Sequence, residues 1–72
     1  MPKIYILTGS NIGDSLALLQ QAKLKINQLI GLVVEVSSIY KTAPWGNTNQ
    51  QDFLNQVLLV ETRLLPEQVL QM

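Results

Sequence analysis

The sequence predicts an α+β fold with the element order β-α-β-β-α. Three segments rich in β-branched and other apolar residues predict strands at residues 3–8, 32–40 and 53–62. Residues 16–30 carry apolar side chains at three- and four-residue steps, which is the spacing of an amphipathic helix. A second helical pattern begins at Pro66, because proline is well suited to the first position of a helix.

The first strand and the first helix are joined by a glycine-rich turn. Apolar residues occupy both faces of residues 3–8, and this pattern predicts an inner strand that is covered on both faces. Residues 9–14 contain the turn formers that end the strand, and Asp14 is suited to cap the N-terminus of the helix. Gly31 follows the helix at a C′ position, where glycine commonly ends helices.

The second and third strands are expected to differ in burial. Polar residues interrupt residues 32–40, which predicts a strand near the sheet edge, whereas residues 53–62 are apolar on both faces and predict an internal strand. The element order is that of the split βαβ arrangement in ferredoxin-like domains. In that arrangement the first and second strands run parallel and the third lies antiparallel between them, so we expect a mainly antiparallel sheet.

The last helical pattern, from Pro66 to Met72, covers barely two turns, which is too short for a stable isolated helix in water. We therefore expect residues 1–72 to be the N-terminal part of a single domain, truncated within its second helix. A fourth strand would cover the outer edge of the first strand, so residues 3–8 are expected to form an open edge. The predicted consequence is either self-association through this edge or a chain from which the covering residues are missing.

Composition excludes several classes of function. Five basic and five acidic residues give a net charge of zero, so no charged surface is expected to recruit nucleic acid or an anionic membrane. Without cysteine or histidine, thiolate nucleophiles, a Ser-His-Asp triad and the usual zinc ligands are excluded. No apolar stretch approaches a membrane span and no signal peptide is recognisable, so a cytoplasmic location is expected. The scattered acids form no catalytic or metal-binding pair, which predicts a catalytically inert chain.

The connection of about a dozen residues between the second and third strands is the strongest functional signal, because loops of this length are usually functional or disordered. It leads into Phe53 and Asn55, which share one face of a strand and stand roughly 7 Å apart. An aromatic plane beside an amide suits a flat heterocycle that carries its own donors and acceptors. The alternative is that Phe53 belongs to the core and Asn55 hydrogen-bonds the local backbone.

The turn at residues 9–13 also has two interpretations. Its two glycines precede a helix, and such turns can cradle phosphate. The turn is neither a P-loop nor a dinucleotide-binding fingerprint, and Asp14 would repel a phosphate placed there. Plain turn chemistry is the favoured interpretation.

Three segments, in order and at matching spacing, carry a family resemblance. Residues 9–14, 37–46 and 51–55, the last followed by a strand rich in valine and leucine, resemble the N-terminal half of the 6-hydroxymethyl-7,8-dihydropterin pyrophosphokinases of the folate pathway. The resemblance implies an α-β-α sandwich related to ferredoxin-like folds. It also implies transfer of pyrophosphate from ATP to the hydroxymethyl oxygen of the pterin, with two Mg²⁺ ions as cofactors.

The same resemblance implies roles for five residues in binding the pterin. The side chains of Thr42 and Asn55 would hydrogen-bond the pterin ring, and Phe53 would stack on one of its faces. Backbone groups of Ala43 and Trp45 would complete the contacts to its polar edge. None of these residues is a catalytic group.

Two loops also resemble those of the family, whereas two residues differ from it. Residues 43–53 resemble the family's mobile lid over the substrates, and residues 9–14 resemble a second loop near the site. Ser15 stands where the family often has arginine, and Phe53 stands where it often has tyrosine, a change that keeps the stacking surface. The family's ATP-binding arginines and magnesium-binding Asp-x-Asp pair would lie beyond Met72, so the resemblance implies a pterin-binding half without the phosphate machinery.

A non-enzymatic ferredoxin-like module, for ligand binding or assembly, is the alternative from a different functional class. In that case the long connection would contact another protein, and Trp45 would anchor the interface. The sequence that follows Met72 would discriminate between the pyrophosphokinase and the non-enzymatic module. A run of arginines followed by Asp-x-Asp would indicate the kinase, and a stop codon or an unrelated domain would indicate the module.

Overall fold

The computed structural model describes residues 2–46 and 49–70. The elements are β1 (Lys3–Ser10), α1 (Ser15–Leu29), β2 (Leu32–Val36), β3 (Tyr40–Thr42), β4 (Phe53–Glu61) and α2 (Pro66–Leu70). Strand β4 lies at the centre of the sheet, antiparallel to β1 on one edge and to β2 and β3 on the other. β1 and β2 therefore run parallel on either side of β4, and the predicted α+β, ferredoxin-like arrangement is confirmed.

The core lies between β4 and α1. Leu58 and Val60 of β4 are completely buried, and Leu19 of α1 is only 2% exposed. Ile6 and Ile4 of β1 pair with Leu58 and Val60, so their side chains cover the same face of the sheet. This small apolar layer explains why the strand predicted to be internal occupies the centre of the sheet.

Helix α1 has the N-cap residue and the C′ glycine that the sequence predicts. The reason that the C′ position needs glycine differs from the predicted one. The Asp14 carboxylate caps the helix by accepting a hydrogen bond from the backbone N–H of Ala17 at 3.2 Å. Ile30 is the C-cap, which places Gly31 at the C′ position. Gly31 does not adopt a positive φ angle, but a Cβ added there would overlap the backbone carbonyl of Glu61. The glycine is required because α1 ends where the chain passes close to β4.

Strand β1 is two residues longer than predicted. Gly9 and Ser10 were expected to lie in a turn, but they continue the ladder by pairing with Asn55 and Leu54 of β4. The prediction was wrong because it weighed the local turn preference of glycine and serine, whereas pairing with β4 satisfies their backbone groups.

The single strand predicted at residues 32–40 is divided into β2 and β3. At the break, the Ser37 N–H donates to the Val57 carbonyl at 2.9 Å, and the Val57 N–H donates to the Ser37 side-chain hydroxyl at 2.9 Å. A hydroxyl therefore replaces the backbone carbonyl that a continuous ladder would use. The division turns β3 into a separate short strand against the first residues of β4.

One face of the sheet has no cover within the described part of the chain. Tyr5 and Leu7 of β1 point away from α1 and are 77% and 66% exposed. The prediction that both faces of this strand are covered is therefore wrong for residues 2–46 and 49–70, because α1 packs on the other face. The outer edge of β1 also pairs with no strand in these ranges. Self-association through that edge stays a prediction.

Candidate functional site

A hydrogen-bonded pair, Asn55 of β4 and Thr42 of β3, lies at the centre of the candidate site. Asn55 is 9% exposed, and its side-chain nitrogen donates to the Thr42 hydroxyl oxygen at 2.9 Å and to the Tyr40 carbonyl at 3.3 Å. The strand pairing explains this contact, because Tyr40 faces Asn55 across the β3–β4 ladder and Thr42 faces Phe53. Two polar side chains are therefore held together by regular backbone structure.

Phe53 and Asn55 lie on the same side of β4, as predicted. Strand β4 is continuous through both residues, and side chains alternate between the two faces of a strand. Asn55 pairs with Gly9 and belongs to the face that carries Tyr5 and Leu7, which is the face opposite α1. We call this surface the open face. Phe53 is partly buried on this face, and Thr42 faces it across the β3–β4 ladder.

Ala43 and Trp45, the other two predicted site residues, follow β3 in the long connection. Both are exposed, and the Trp45 side chain is 100% exposed, so it packs against none of the described residues. The structure thus brings Thr42, Phe53 and Asn55 together but leaves Trp45 outside this group. The predicted lid at residues 43–53 includes residues 47–48, which lie outside the described residues.

The end of the long connection is fastened to the turn that precedes α1. The Gln51 side-chain nitrogen donates to the Asn11 carbonyl at 2.6 Å and to the Gly13 carbonyl at 3.4 Å. The Asn11 side-chain nitrogen donates in return to the Gln50 side-chain oxygen at 3.3 Å. Sequence reasoning missed these contacts, because amide side chains some 40 positions apart carry no pattern that pairs them. We call this set of contacts the loop clasp.

The loop clasp predicts the behaviour of a Gln51→Ala variant. Removing the amide frees the carbonyls of Asn11 and Gly13, so hydrogen exchange at residues 11–13 should rise by at least about 2- to 12-fold, the effect expected for the loss of each hydrogen bond. The same substitution at Gln20, which is exposed on α1, is the matched control and should leave exchange in the turn unchanged. Equal exchange in the two variants would show that the clasp does not order the turn.

A cavity of about 340 Å³ lies on the other face of the sheet, beside the N-terminus of α1. Asp14 and Asp52 line it together with Lys41, so it lacks the excess of positive charge that a phosphate would need. The Asp14 carboxylate also occupies the helix N-terminus through its bond to Ala17. These contacts favour plain turn chemistry over phosphate binding at this turn.

Neither a metal cluster nor a membrane helix is present in the described ranges. Among residues 2–46 and 49–70, no group of three or more histidine, cysteine, aspartate or glutamate side chains is placed to hold a metal ion. In the same ranges, neither helix is long and apolar enough to cross a membrane.

Comparison with known proteins identifies the family. Residues 5–72 match the sequence profile of the family described as 7,8-dihydro-6-hydroxymethylpterin-pyrophosphokinase. The chain belongs to this pyrophosphokinase family. The family resemblance that the three sequence segments predicted is thus confirmed, and the match extends from β1 through α2.

Individual members of the pyrophosphokinase family are similar over almost the whole chain. Three proteins named 2-amino-4-hydroxy-6-hydroxymethyldihydropteridine pyrophosphokinase illustrate this. The protein from Aquifex aeolicus is 36% identical over 70 residues, which cover 97% of this chain and 43% of the relative. Those from Methylorubrum extorquens and Bacillus subtilis are 40% and 42% identical, covering 99% and 94% of this chain and 46% and 41% of their own lengths. The chain therefore spans less than half the length of these relatives.

Proposed function

We propose that this chain forms the pterin-binding part of an enzyme that transfers pyrophosphate from ATP to 6-hydroxymethyl-7,8-dihydropterin. The observation that carries the proposal is the 2.9 Å hydrogen bond between Asn55 and Thr42, formed where Thr42 faces the partly buried Phe53 across the β3–β4 ladder. An amide and a hydroxyl next to an aromatic plane offer a flat heterocycle both polar contacts and a stacking surface. Membership of the pyrophosphokinase family supports this function over a non-enzymatic assembly module.

The three side chains proposed to bind the pterin are held on paired strands. Thr42 lies on β3, and Phe53 and Asn55 lie on β4, so backbone ladders set the separation of all three side chains. Groups held on strands keep their geometry better than groups on loops, and little conformational entropy is then lost when the ligand binds. Backbone groups of Ala43 and Trp45, next to β3 in the chain, are proposed to complete the contacts to the polar edge.

Pyrophosphoryl transfer needs groups that this site does not supply. Such transfer depends on positioning the reactants and on stabilising charge at the transferring oxygens, usually through Mg²⁺ and cationic side chains. The described residues hold no suitable metal cluster. We therefore propose that residues 1–72 are the N-terminal part of a single domain, that ATP and two Mg²⁺ ions are held by residues outside this chain, and that the chain alone transfers nothing.

Fluorescence of Trp45 tests the proposal, because Trp45 is the only tryptophan in these 72 residues and its side chain is fully exposed. In the full-length protein, titration with 6-hydroxymethylpterin and a non-hydrolysable ATP analogue should move the Trp45 emission to shorter wavelengths as the side chain is covered. Removing the stacking surface with Phe53→Ala should abolish the response to the pterin.

Two controls separate the possible outcomes. Trp45→Phe should remove the signal, and any tryptophan elsewhere in the full-length protein is then measured as background. Calorimetry with the same pterin measures binding independently of fluorescence. Binding without a spectral change would show that Trp45 does not cover the site, whereas the absence of binding by calorimetry would refute the proposed function.

A further inference from the structure

The orientation of the Asn55 amide is determined by its neighbours on β3. A backbone carbonyl only accepts hydrogen bonds, so the group that faces the Tyr40 carbonyl at 3.3 Å must be the amide nitrogen. The second N–H of the same group is directed to the Thr42 hydroxyl oxygen at 2.9 Å. Both amide hydrogens are therefore used, and the side-chain oxygen of Asn55 points away from β3 towards β1.

Gly9 of β1 lies directly where this oxygen points. Gly9 and Asn55 face each other across the β1–β4 ladder, on the open face of the sheet. A Cβ added at Gly9 would lie 2.9 Å from the Asn55 side-chain oxygen, closer than side-chain carbons approach such an atom in folded proteins. Gly9 has no positive φ angle, so its backbone conformation does not require glycine. Glycine is needed at this position because the Asn55 side-chain oxygen lies too close to leave room for a Cβ atom.

We propose that Gly9 is a positioning residue for Asn55, and that its missing side chain lets the site present one acceptor beside one donor. The acceptor is the Asn55 oxygen, to which no donor is directed within residues 2–46 and 49–70. The donor is the Thr42 hydroxyl proton, because the Thr42 oxygen already accepts from Asn55. A ligand that matches this pair carries an N–H group next to an acceptor atom on one edge of a flat ring.

The proposal rests on the proposed function and adds which hydrogen-bond donor and which acceptor the site offers to the ligand. In a Gly9→Ala variant, the new methyl group would force the Asn55 amide to turn or shift. Turning the amide moves its nitrogen away from Tyr40 and places its oxygen where the Tyr40 carbonyl would repel it. The Asn55 oxygen would then no longer lie beside the Thr42 hydroxyl as an acceptor for the ligand, although every polar group of the site is still present.

A double-mutant cycle in the full-length protein tests this coupling. Calorimetry with 6-hydroxymethylpterin should show about tenfold weaker binding to Gly9→Ala, the effect of one misplaced hydrogen bond. In the Asn55→Ala background the same substitution should cause no further loss, because the oxygen that meets the methyl group is gone. Unchanged binding in Gly9→Ala, or an equal loss in both backgrounds, would overturn the proposal.

The cycle also covers the case in which Gly9→Ala fails to fold. If the collision with Asn55 is the cause, the thermal midpoint of Gly9→Ala should be restored in the Gly9→Ala, Asn55→Ala double variant. If the double variant unfolds as readily as the single variant, then the methyl group collides with something other than Asn55 and the proposal is wrong.

A ligand-free measurement separates this proposal from the proposed function. The side-chain amide resonances of Asn55 should shift in Gly9→Ala, while those of Asn27, which accepts from Val33 at the far end of α1, serve as the internal reference. A shift at Asn55 alone supports the positioning role even if no variant binds the pterin, in which case only the proposed function fails. An unmoved Asn55 amide would overturn the positioning role whatever the pterin does.

Discussion

Asn55→Ala is expected to weaken pterin binding to the full-length protein by about 1 to 3 kcal/mol, or about 5- to 150-fold in the dissociation constant. The loss is large because the polar edge of the bound ring would be buried without its partner, which costs more than the hydrogen bond itself contributes. The Thr42 hydroxyl would also lose the donor that orients it at 2.9 Å. Calorimetric titration with 6-hydroxymethylpterin measures the effect, and ATP affinity should change much less.

Asn27→Ala is the matched control for this substitution. Asn27 also hydrogen-bonds a backbone group, the Val33 N–H at 3.0 Å, but it does so at an exposed position of α1 away from the open face. The Asn27→Ala substitution should leave pterin affinity unchanged. Any loss of affinity in this variant would measure the non-specific effect of replacing an asparagine that hydrogen-bonds the backbone. Equal pterin affinity in Asn55→Ala and in the unmodified protein would remove Asn55 from the site.

Leu58→Ala is expected to lower the free energy of unfolding by about 2 to 5 kcal/mol. Leu58 is completely buried on the central strand, so its truncation removes apolar contacts and leaves a cavity in the core. Domains are stable by only about 5 to 15 kcal/mol, so this single change removes a large share of the total. Urea denaturation followed by circular dichroism measures the loss.

Leu24→Ala provides the comparison on the exposed surface. Leu24 lies on α1 with 61% of its surface exposed, and the same deletion of atoms there should change stability by no more than about 0.5 kcal/mol. A similar loss in the two variants would show that the core is not centred on β4.

Periodicity was sufficient to predict most of the fold and part of the site. Apolar residues on both faces of residues 53–62 identified the central strand, and the period of two in a strand placed Phe53 and Asn55 on one face. Asp14 was recognised as a helix cap because capping depends on residues within one turn. These features share a cause, because each depends on groups that are close together in the sequence.

The interruption at Ser37 could not be predicted in this way. The valines and Ile39 around it favour a continuous strand, and only the position of the Val57 N–H shows that the serine hydroxyl replaces a backbone acceptor. This break matters for the site, because it separates β3 from β2 and sets Thr42 opposite Phe53. The loop clasp between Gln51 and Asn11 was missed for the same reason.

The amino-acid sequence by itself determined the α+β class, the order of the elements, the central strand and the family. The periodicity of apolar residues, the helix caps and the local motifs each depend on residues that are close together in the sequence. Only the tertiary structure decided that Asn55 donates to Thr42 and Tyr40, and that its oxygen lies against Gly9. These contacts join three strands that are distant in the chain. Their geometry depends on ladder register, which is established only when all three strands pair.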